Sequence, residues 1–254
     1  MDPKRERALE LIKTNIERSG FHIYLVGGGQ SPRFAYTIGL RDSLGAELVL
    51  CGALYFDKQQ ILHMLHSVRE QLANGRSSAR DTAWASVIAV DGLGSFVLRR
   101  AHPTWSRGLL LGAMDYYRVR DIDAYQLVPD DEHRTIDVPD MTKEWTATSE
   151  PMWRWHHDDW EHPVPSGSSA MTNLAVLRGA KVTEAFRWEA DYWEMFAGDG
   201  SEVREEDARI VPLGSLVAAD PSLIPVVELP VGAGLMRDSE TGEWTPWPRN
   251  TTSN

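Results

Sequence analysis

Two periodicities of apolar residues follow one another at the start of the chain. In residues 4–18 the apolar side chains recur on one helical face, and Ser19-Gly20 then favours a helix end. Residues 21–26 and 33–40 are instead rich in β-forming residues, and three glycines separate them. The pattern predicts a helix followed by a β-hairpin with a loose glycine loop.

The rest of the first half mixes short apolar runs with two longer amphipathic stretches. The predicted elements are a strand at 47–52, a helix at 57–75, a hairpin from strands at 84–90 and 95–100, a helix at 105–117 and a strand at 124–128. This order lacks the regular strand–helix alternation of a doubly wound parallel sheet. A mainly antiparallel or mixed sheet with a few packing helices is expected instead.

The second half begins with an irregular stretch, residues 141–169, that is rich in proline, serine and tryptophan. Exposing four tryptophans is costly, so we expect this linker to pack on one or both neighbouring domains. Beyond it, the pattern predicts strands at Leu174–Leu177, Ala185–Trp188 and Trp193–Phe196 and a helix at Leu213–Ala219. The fold class is therefore α+β, with two small domains at 1–140 and 170–254.

Charge and composition narrow the classes of partner. Residues 1–150 hold 18 Lys and Arg against 20 Asp and Glu, whereas residues 151–254 hold 8 against 17. So acidic a second half disfavours nucleic acid, whose phosphates need clustered cations, and suits a basic protein partner. A membrane partner is not expected, because no apolar run reaches the ~18 residues that a spanning helix needs.

The N-terminal residues and the cysteine content indicate the cellular compartment. The charged N-terminal residues lead into an amphipathic stretch and do not resemble a signal peptide. The single cysteine, Cys51, lies in an apolar run and excludes both an internal disulfide and a multi-cysteine zinc site. These features predict a cytoplasmic protein.

Two segments have the residue types of a ligand site. Gly27-Gly28-Gly29 follows a strand but lacks the lysine of a phosphate-binding loop, and Pro32 stands where a dinucleotide fingerprint needs its last glycine. His156, His157 and His162 form the densest group of metal-ligand side chains, yet their spacing matches neither H-E-x-x-H nor a facial triad. We therefore expect the three glycines to form a hairpin loop and the linker that contains the histidines to pack on a domain. We expect no resident metal or cofactor.

One stretch of sequence resembles a known family. Residues 32–40, with the sequence PRFAYTIGL, are followed by ELVLCGAL at residues 47–54 and by YQLVPD at residues 125–130. Together these segments resemble a bacterial domain of unknown function numbered forty-two sixty-two, over about residues 15–140. The chain departs from that family at the glycine loop and lacks its usual tryptophan before Pro129. The resemblance implies no activity, because the family has none established.

The second half is similar to another set of small bacterial domains, some of them immunity proteins of polymorphic toxins. The matching segments are WEMFAGD at 193–199, ARIVPL at 208–213, DPSL at 220–223 and LPVG at 229–232. This resemblance implies a binding module and not an enzyme.

Two functions from different classes fit these patterns. The preferred interpretation is an interaction protein of the immunity or antitoxin type, with Glu202, Glu205, Glu206 and Asp207 pairing with cations of a basic effector. The alternative is an enzyme that binds a small molecule or a flavin. Its pocket in the first domain would be lined by Tyr36, Thr37, Tyr125 and Gln126.

Overall fold

A computed structural model describes residues 3–74, 87–238 and 241–247. The chain divides into two compact units. Unit 1 comprises Met1–Gly27, Arg33–Arg134 and Val138–Ser149, and unit 2 comprises Gly28–Pro32, Thr135–Asp137 and Glu150–Asn254. The segment that we predicted as a linker is thus shared, with residues 141–149 in unit 1 and residues 150–169 in unit 2.

Unit 1 is built on a six-stranded sheet. Its elements are α1 (Pro3–Ser19), β1 (His22–Val26), β2 (Phe34–Ile38), α2 (Leu40–Leu44), β3 (Glu47–Cys51), α3 (Lys58–Asn74), β4 (Val87–Val90), β5 (Gly94–Arg100), α4 (Pro103–Leu109), α5 (Leu111–Tyr117) and β6 (Ala124–Pro129). The strand order is β1-β2-β3-β6-β5-β4. Neighbouring strands are antiparallel except β3 and β6, which are parallel. Of the strand predicted at 84–90, residues 84–86 lie outside the described residues.

The centre of the unit 1 sheet is its best-buried part. Every residue of β2 and β3 is buried, and Cys51 lies there as an inaccessible thiol. The apolar face of α3, with Ile61, Met64 and Val68, packs into one core cluster with the buried apolar side chains of β2 and β3. Burial on both faces explains why β3 reads as a continuous apolar run and not as an alternating one.

Unit 2 is built on a second six-stranded sheet. Its elements are β7 (Ser169–Asn173), α6 (Leu174–Leu177), β8 (Glu184–Arg187), β9 (Tyr192–Phe196), β10 (Ala208–Pro212), α7 (Leu213–Ala219), α8 (Ile224–Val227), β11 (Ala233–Arg237) and β12 (Trp244–Pro246). Their order is β10-β7-β9-β8-β11-β12. Within this sheet, β7 and β9 are the only described strands that pair in parallel. Both sheets are thus mixed, and the α+β class is confirmed.

Three predicted elements are corrected by the structure. Leu174–Leu177 is a helix and not a strand, because the Asn173 side chain accepts a hydrogen bond from the Val176 amide and starts a helical turn after β7. The helix predicted at 105–117 is two helices, α4 and α5, because Leu110 leaves the helical conformation between them. The strand predicted at 33–40 ends at Ile38, since Gly39 turns the chain into α2.

The tryptophans of the predicted linker are all engaged. Trp145 stacks on Trp105 with ring centroids 4.3 Å apart, and Trp153 is buried in unit 2. The indole N–H groups of Trp155 and Trp160 donate to the carbonyl oxygens of Gly214 and Val164, at 2.7 Å each. This segment therefore contributes large apolar rings to the cores.

None of the helices in the described residues is both long enough and apolar enough to cross a lipid bilayer.

Candidate functional site

A buried carboxylate organises the centre of unit 1. Glu47, the first residue of β3, is fully buried and accepts hydrogen bonds from two hydroxyl groups. Thr37 Oγ1 lies 2.6 Å from Glu47 Oε2, and the Tyr117 hydroxyl lies 2.7 Å from Oε1. Three backbone N–H groups also donate to it, from Gly39 (3.0 Å), Leu40 (3.3 Å) and Arg41 (3.0 Å). The carboxylate is therefore surrounded by five donors.

These contacts follow from the turn between β2 and α2. The first N–H groups of a helix have no partner within the helix, and a carboxylate satisfies them. Gly39 permits the turn, because its φ of 116° is strained for other residues and an added Cβ would lie 3.1 Å from the Gly20 carbonyl oxygen. Glu47 thus holds β2, α2 and α5 together.

Burial shifts the ionisation of the same groups. It raises the pKa of Glu47, although the hydrogen bonds from Thr37, Tyr117 and the backbone oppose that shift. It also raises the pKa of Tyr117, and the neighbouring Glu47 charge adds to the effect. Tyr117 therefore keeps its proton at neutral pH, and its hydroxyl group donates a hydrogen bond to Glu47. Chemically, the cluster is a closed network of hydrogen bonds.

The four residues predicted to line a ligand pocket in unit 1 lie on two faces of its sheet. The strand register pairs Tyr36 with Val49 and Val49 with Gln126, so Tyr36 and Gln126 share one face. Thr37 and Tyr125, each the neighbour of one of these residues along its strand, lie on the opposite face. The structure brings the four together only as two pairs.

Three of these four side chains are also committed to internal contacts. The Tyr36 hydroxyl accepts a hydrogen bond from the Gly112 amide at 3.1 Å, and burial raises the pKa of Tyr36 to about 12. Thr37 belongs to the Glu47 network. Gln126 donates to the Pro139 carbonyl oxygen at 2.8 Å and accepts from the Met141 amide at 3.3 Å. Their polar groups thus stabilise unit 1.

A second polar cluster closes the other end of the unit 1 sheet, after β6. Asp130 Oδ1 lies 2.6 Å from His133 Nδ1, and Oδ2 accepts from the amide and hydroxyl of Ser95, at 2.7 and 3.0 Å. Burial alone would raise the pKa of Asp130, but the bonds from Ser95 and His133 outweigh it and lower the pKa to about 2. The His133 ring packs between Tyr55 and Phe56.

Neither cluster was predicted from the sequence. For Glu47 a signal was present, because a carboxylate stood at the start of an apolar run that reads as a buried strand. Asp130 and His133 gave a weaker signal, an Asp-x-x-His spacing in a polar turn. Ser95 lies 35 residues away, and only the pairing of β5 with β6 brings it to Asp130.

The four acidic residues predicted to bind a partner differ in their surroundings. Glu202, Glu205 and Glu206 are exposed, whereas Asp207 is partly buried. Arg204 lies 2.6 Å from Asp207 and 3.0 Å from Glu206. Glu202 and Asp207 also line a polar pocket of about 440 Å³, together with Arg178 and Arg204. The acidic segment is therefore partly neutralised by its own arginine.

This segment leads directly into β10, an edge strand of the unit 2 sheet. Leu213 N donates to Ser168 O, and Ser169 N donates to Asp191 O. In this antiparallel pairing, the backbone N–H and C=O groups of every second residue of β10 point away from β7, toward the open edge of the sheet. Ile210 is one of these residues, and it is 64% exposed. Pro212 lacks an N–H, and Arg209 donates to the Ala208 carbonyl oxygen, so both ends of this edge are closed to a long added strand.

The histidines predicted as weak metal candidates do not converge. His156 is exposed, and its Nδ1 lies 3.4 Å from Ser31 Oγ. His162 packs edge-on against Trp160, with ring centroids 4.7 Å apart. Across residues 3–74, 87–238 and 241–247, no group of three or more His, Cys, Asp or Glu side chains is arranged to hold a metal ion.

Comparison with known proteins gives one family match. Residues 15–135 match the model of a family described as a domain of unknown function, DUF4262. No curated protein and no solved structure matches the chain. The matched residues include β1 to β6 and the Glu47 network, and they end just after His133.

Proposed function

We propose that this chain, whose residues 15–135 form a DUF4262 domain of unknown function, binds a basic segment of a protein partner through unit 2. The surface, which we call the acidic edge, consists of Glu202, Glu205, Glu206 and Ile210. An interaction of the immunity or antitoxin type, in the cytoplasm, is the form of this function that we favour. Residues 193–232 support it by their resemblance to immunity-protein domains.

The observation that carries the proposal is an exposed apolar side chain that closely follows exposed carboxylates along the chain. Ile210 is 64% exposed on an edge strand, where it offers an apolar contact to a partner. The three exposed glutamates precede it by four to eight residues along the chain. Interfaces commonly combine such an apolar centre with a charged rim that steers association.

The four predicted acidic residues should not contribute equally. Neither Glu202 nor Glu205 forms an ion pair within the described part of the chain, so both carboxylates are available to cations of a partner. Asp207 is held by Arg204 through two hydrogen bonds, at 2.9 and 2.6 Å. We therefore expect Asp207 to position Arg204 and to add less to partner binding than the glutamates.

The test begins with the protein purified, without a tag, from its own host, and with native mass spectrometry of any stoichiometric partner. The identified partner is then titrated with a triple variant, Glu202→Lys, Glu205→Lys and Glu206→Lys. At low salt we expect its association rate to fall about tenfold, because rim charges act mainly on encounter. Ile210→Ala should instead raise the dissociation rate.

A matched control carries the same change of charge elsewhere on unit 2. Glu189→Lys, Asp191→Lys and Glu243→Lys replace three exposed carboxylates away from the acidic edge. We expect this control to bind the partner with almost the rate of the unmodified protein. Equal losses in both triple variants would show a general charge effect and would refute the acidic edge as the binding surface.

A further inference from the structure

Unit 2 contains an apolar cavity of about 300 Å³ that the acidic edge does not use. Its lining side chains come from residues 136 and 151–152, from α6 and the segment after it, and from α7 and the turn after it. Those that form the inner wall are buried and apolar: Met152, Val176, Val182, Leu216 and Leu223. Small-molecule sites start at about this volume and are lined mainly by apolar side chains with few polar groups.

Two residues that line the cavity, Lys181 and Asp220, form a charged group with Arg237, which lies outside the lining. Lys181 Nζ lies 3.2 Å from Asp220 Oδ2, and Arg237 Nη2 lies 3.7 Å from the same oxygen. Two cations therefore share one carboxylate. The local excess is positive, although residues 151–254 hold 8 Lys and Arg against 17 Asp and Glu.

Asp220 is fixed in its charged form by the turn that it begins. Its Oδ1 accepts hydrogen bonds from the amide and the hydroxyl of Ser222, at 3.1 and 2.6 Å. Burial opposes ionisation of Asp220, but the bonds from Ser222 and Lys181 outweigh burial and lower its pKa. Arg237 also donates to Ser222 Oγ at 2.6 Å, so this cation is held on the turn.

Lys181 is the most exposed member of the group. Its side chain is 65% exposed, whereas those of Arg237 and Asp220 are 12% and 15% exposed. An exposed ion pair of this kind is weak, so the ammonium group turns toward an incoming anion at little cost. Arg237 then remains as the partner of Asp220.

We propose that this cavity binds a small molecule with an apolar body and one carboxylate, the body in the cavity and the carboxylate on Lys181. At the ~30 Å³ that a water molecule takes in the liquid, the cavity holds roughly ten non-hydrogen atoms. This site is independent of partner binding at the acidic edge. Its test needs only the purified chain.

Three ligands of equal length separate the contribution of charge from that of apolar burial. Isothermal titration at neutral pH with octanoate, 1-octanol and octylammonium compares an anion, a neutral molecule and a cation on one alkyl chain. We expect saturable 1:1 binding of octanoate. Octanol should bind about tenfold more weakly, because it lacks the charge that pairs with Lys181, and octylammonium more weakly still.

Two variants test whether the ligand binds in the cavity. Lys181→Met keeps the aliphatic stem and should reduce the affinity for octanoate about tenfold while leaving octanol unchanged. Ala219→Trp puts a large ring at the exposed end of α7, beside the mouth, and should abolish binding of both. Ala190→Trp, at an exposed alanine outside the cavity lining, is the control for an added indole.

The outcomes divide cleanly. Thermal unfolding of each variant, measured first, verifies that it is folded before its titration is interpreted. Octylammonium binding as tightly as octanoate, or equal octanoate affinity in Ala219→Trp and Ala190→Trp, would overturn the proposal. So would the absence of octanoate binding to the unmodified protein.

Discussion

The two units use carboxylates in opposite ways. In unit 1, Glu47 is fully buried, and five hydroxyl and backbone donors surround its two oxygens. In unit 2, Glu202, Glu205 and Glu206 lie at the surface, and only Glu206 of the three is paired with an arginine among the described residues. A buried carboxyl group is tolerated when hydrogen-bond donors satisfy its oxygens, whereas an exposed charge remains available to another molecule. Unit 1 therefore uses its acid to hold a fold, and unit 2 presents acids for recognition.

The largest difference between the two units is expected when Glu47 is substituted. We expect Glu47→Ala to lower the free energy of unfolding by about 3 kcal/mol or more, because it leaves a cavity and several buried donors without an acceptor. Denaturant unfolding measures the change. Glu202→Ala is the matched control on an exposed glutamate and should stay within about 0.5 kcal/mol of the unmodified protein. Equal costs for the two variants would contradict the contrast between the units.

Removal of one donor from the same network should have a smaller effect. Tyr117→Phe deletes the hydroxyl that donates to Glu47 at 2.7 Å and keeps the ring, so we expect a loss of about 1 to 2 kcal/mol. Tyr116→Phe, on the neighbouring tyrosine, is the control. A double-mutant cycle with Glu47→Gln sharpens this result, since coupled neighbours give non-additive costs. Additive costs would mean that the Tyr117 hydroxyl stabilises unit 1 without Glu47.

Acid should lower the free energy of unfolding by about 1 kcal/mol, because it protonates Asp130. Its pKa of about 2 in the fold lies below the ordinary value of 3.8, so its contribution is complete above about pH 4 and is lost as the pH falls through 2. The magnitude is reduced because the side chain is 30% exposed. Unfolding curves between pH 5 and 2 should show a smaller loss in Asp130→Asn than in the unmodified protein. Asp131→Asn serves as the control, and identical pH slopes in the two variants would exclude this role.

Sequence patterns gave the local structure of unit 1 well, because its elements are long, periodic and separated by clear breaks. The helices now labelled α1 and α3 and the strands β1, β3 and β6 lie close to the predicted ranges. In unit 2, β7, β10 and the terminal β11–β12 hairpin were not predicted. These strands are short, and β10 and β12 are partly exposed edges of the sheet, so such segments carry weak periodicity.

The sites were harder to predict than the fold, and the reason is physical. The Glu47 network joins residues from β2, α2, β3 and α5, so the sequence shows its acid but not its donors. The two-against-one charge arrangement at Asp220 depends on Arg237, which is 17 residues away along the chain. The exposed glutamates were visible in the sequence as an acidic run. The contact by which Arg204 neutralises Asp207 could be seen only in the folded structure.

The most direct measurement of the central claim is the salt dependence of partner association. The association rate of the identified partner is recorded by stopped flow from low to high ionic strength, for the unmodified protein and for the triple variant at Glu202, Glu205 and Glu206. Salt screens steering between exposed charges, so the unmodified protein should associate more slowly as salt rises, whereas the variant should change little. An equal dependence on salt in both proteins would contradict binding through the acidic edge.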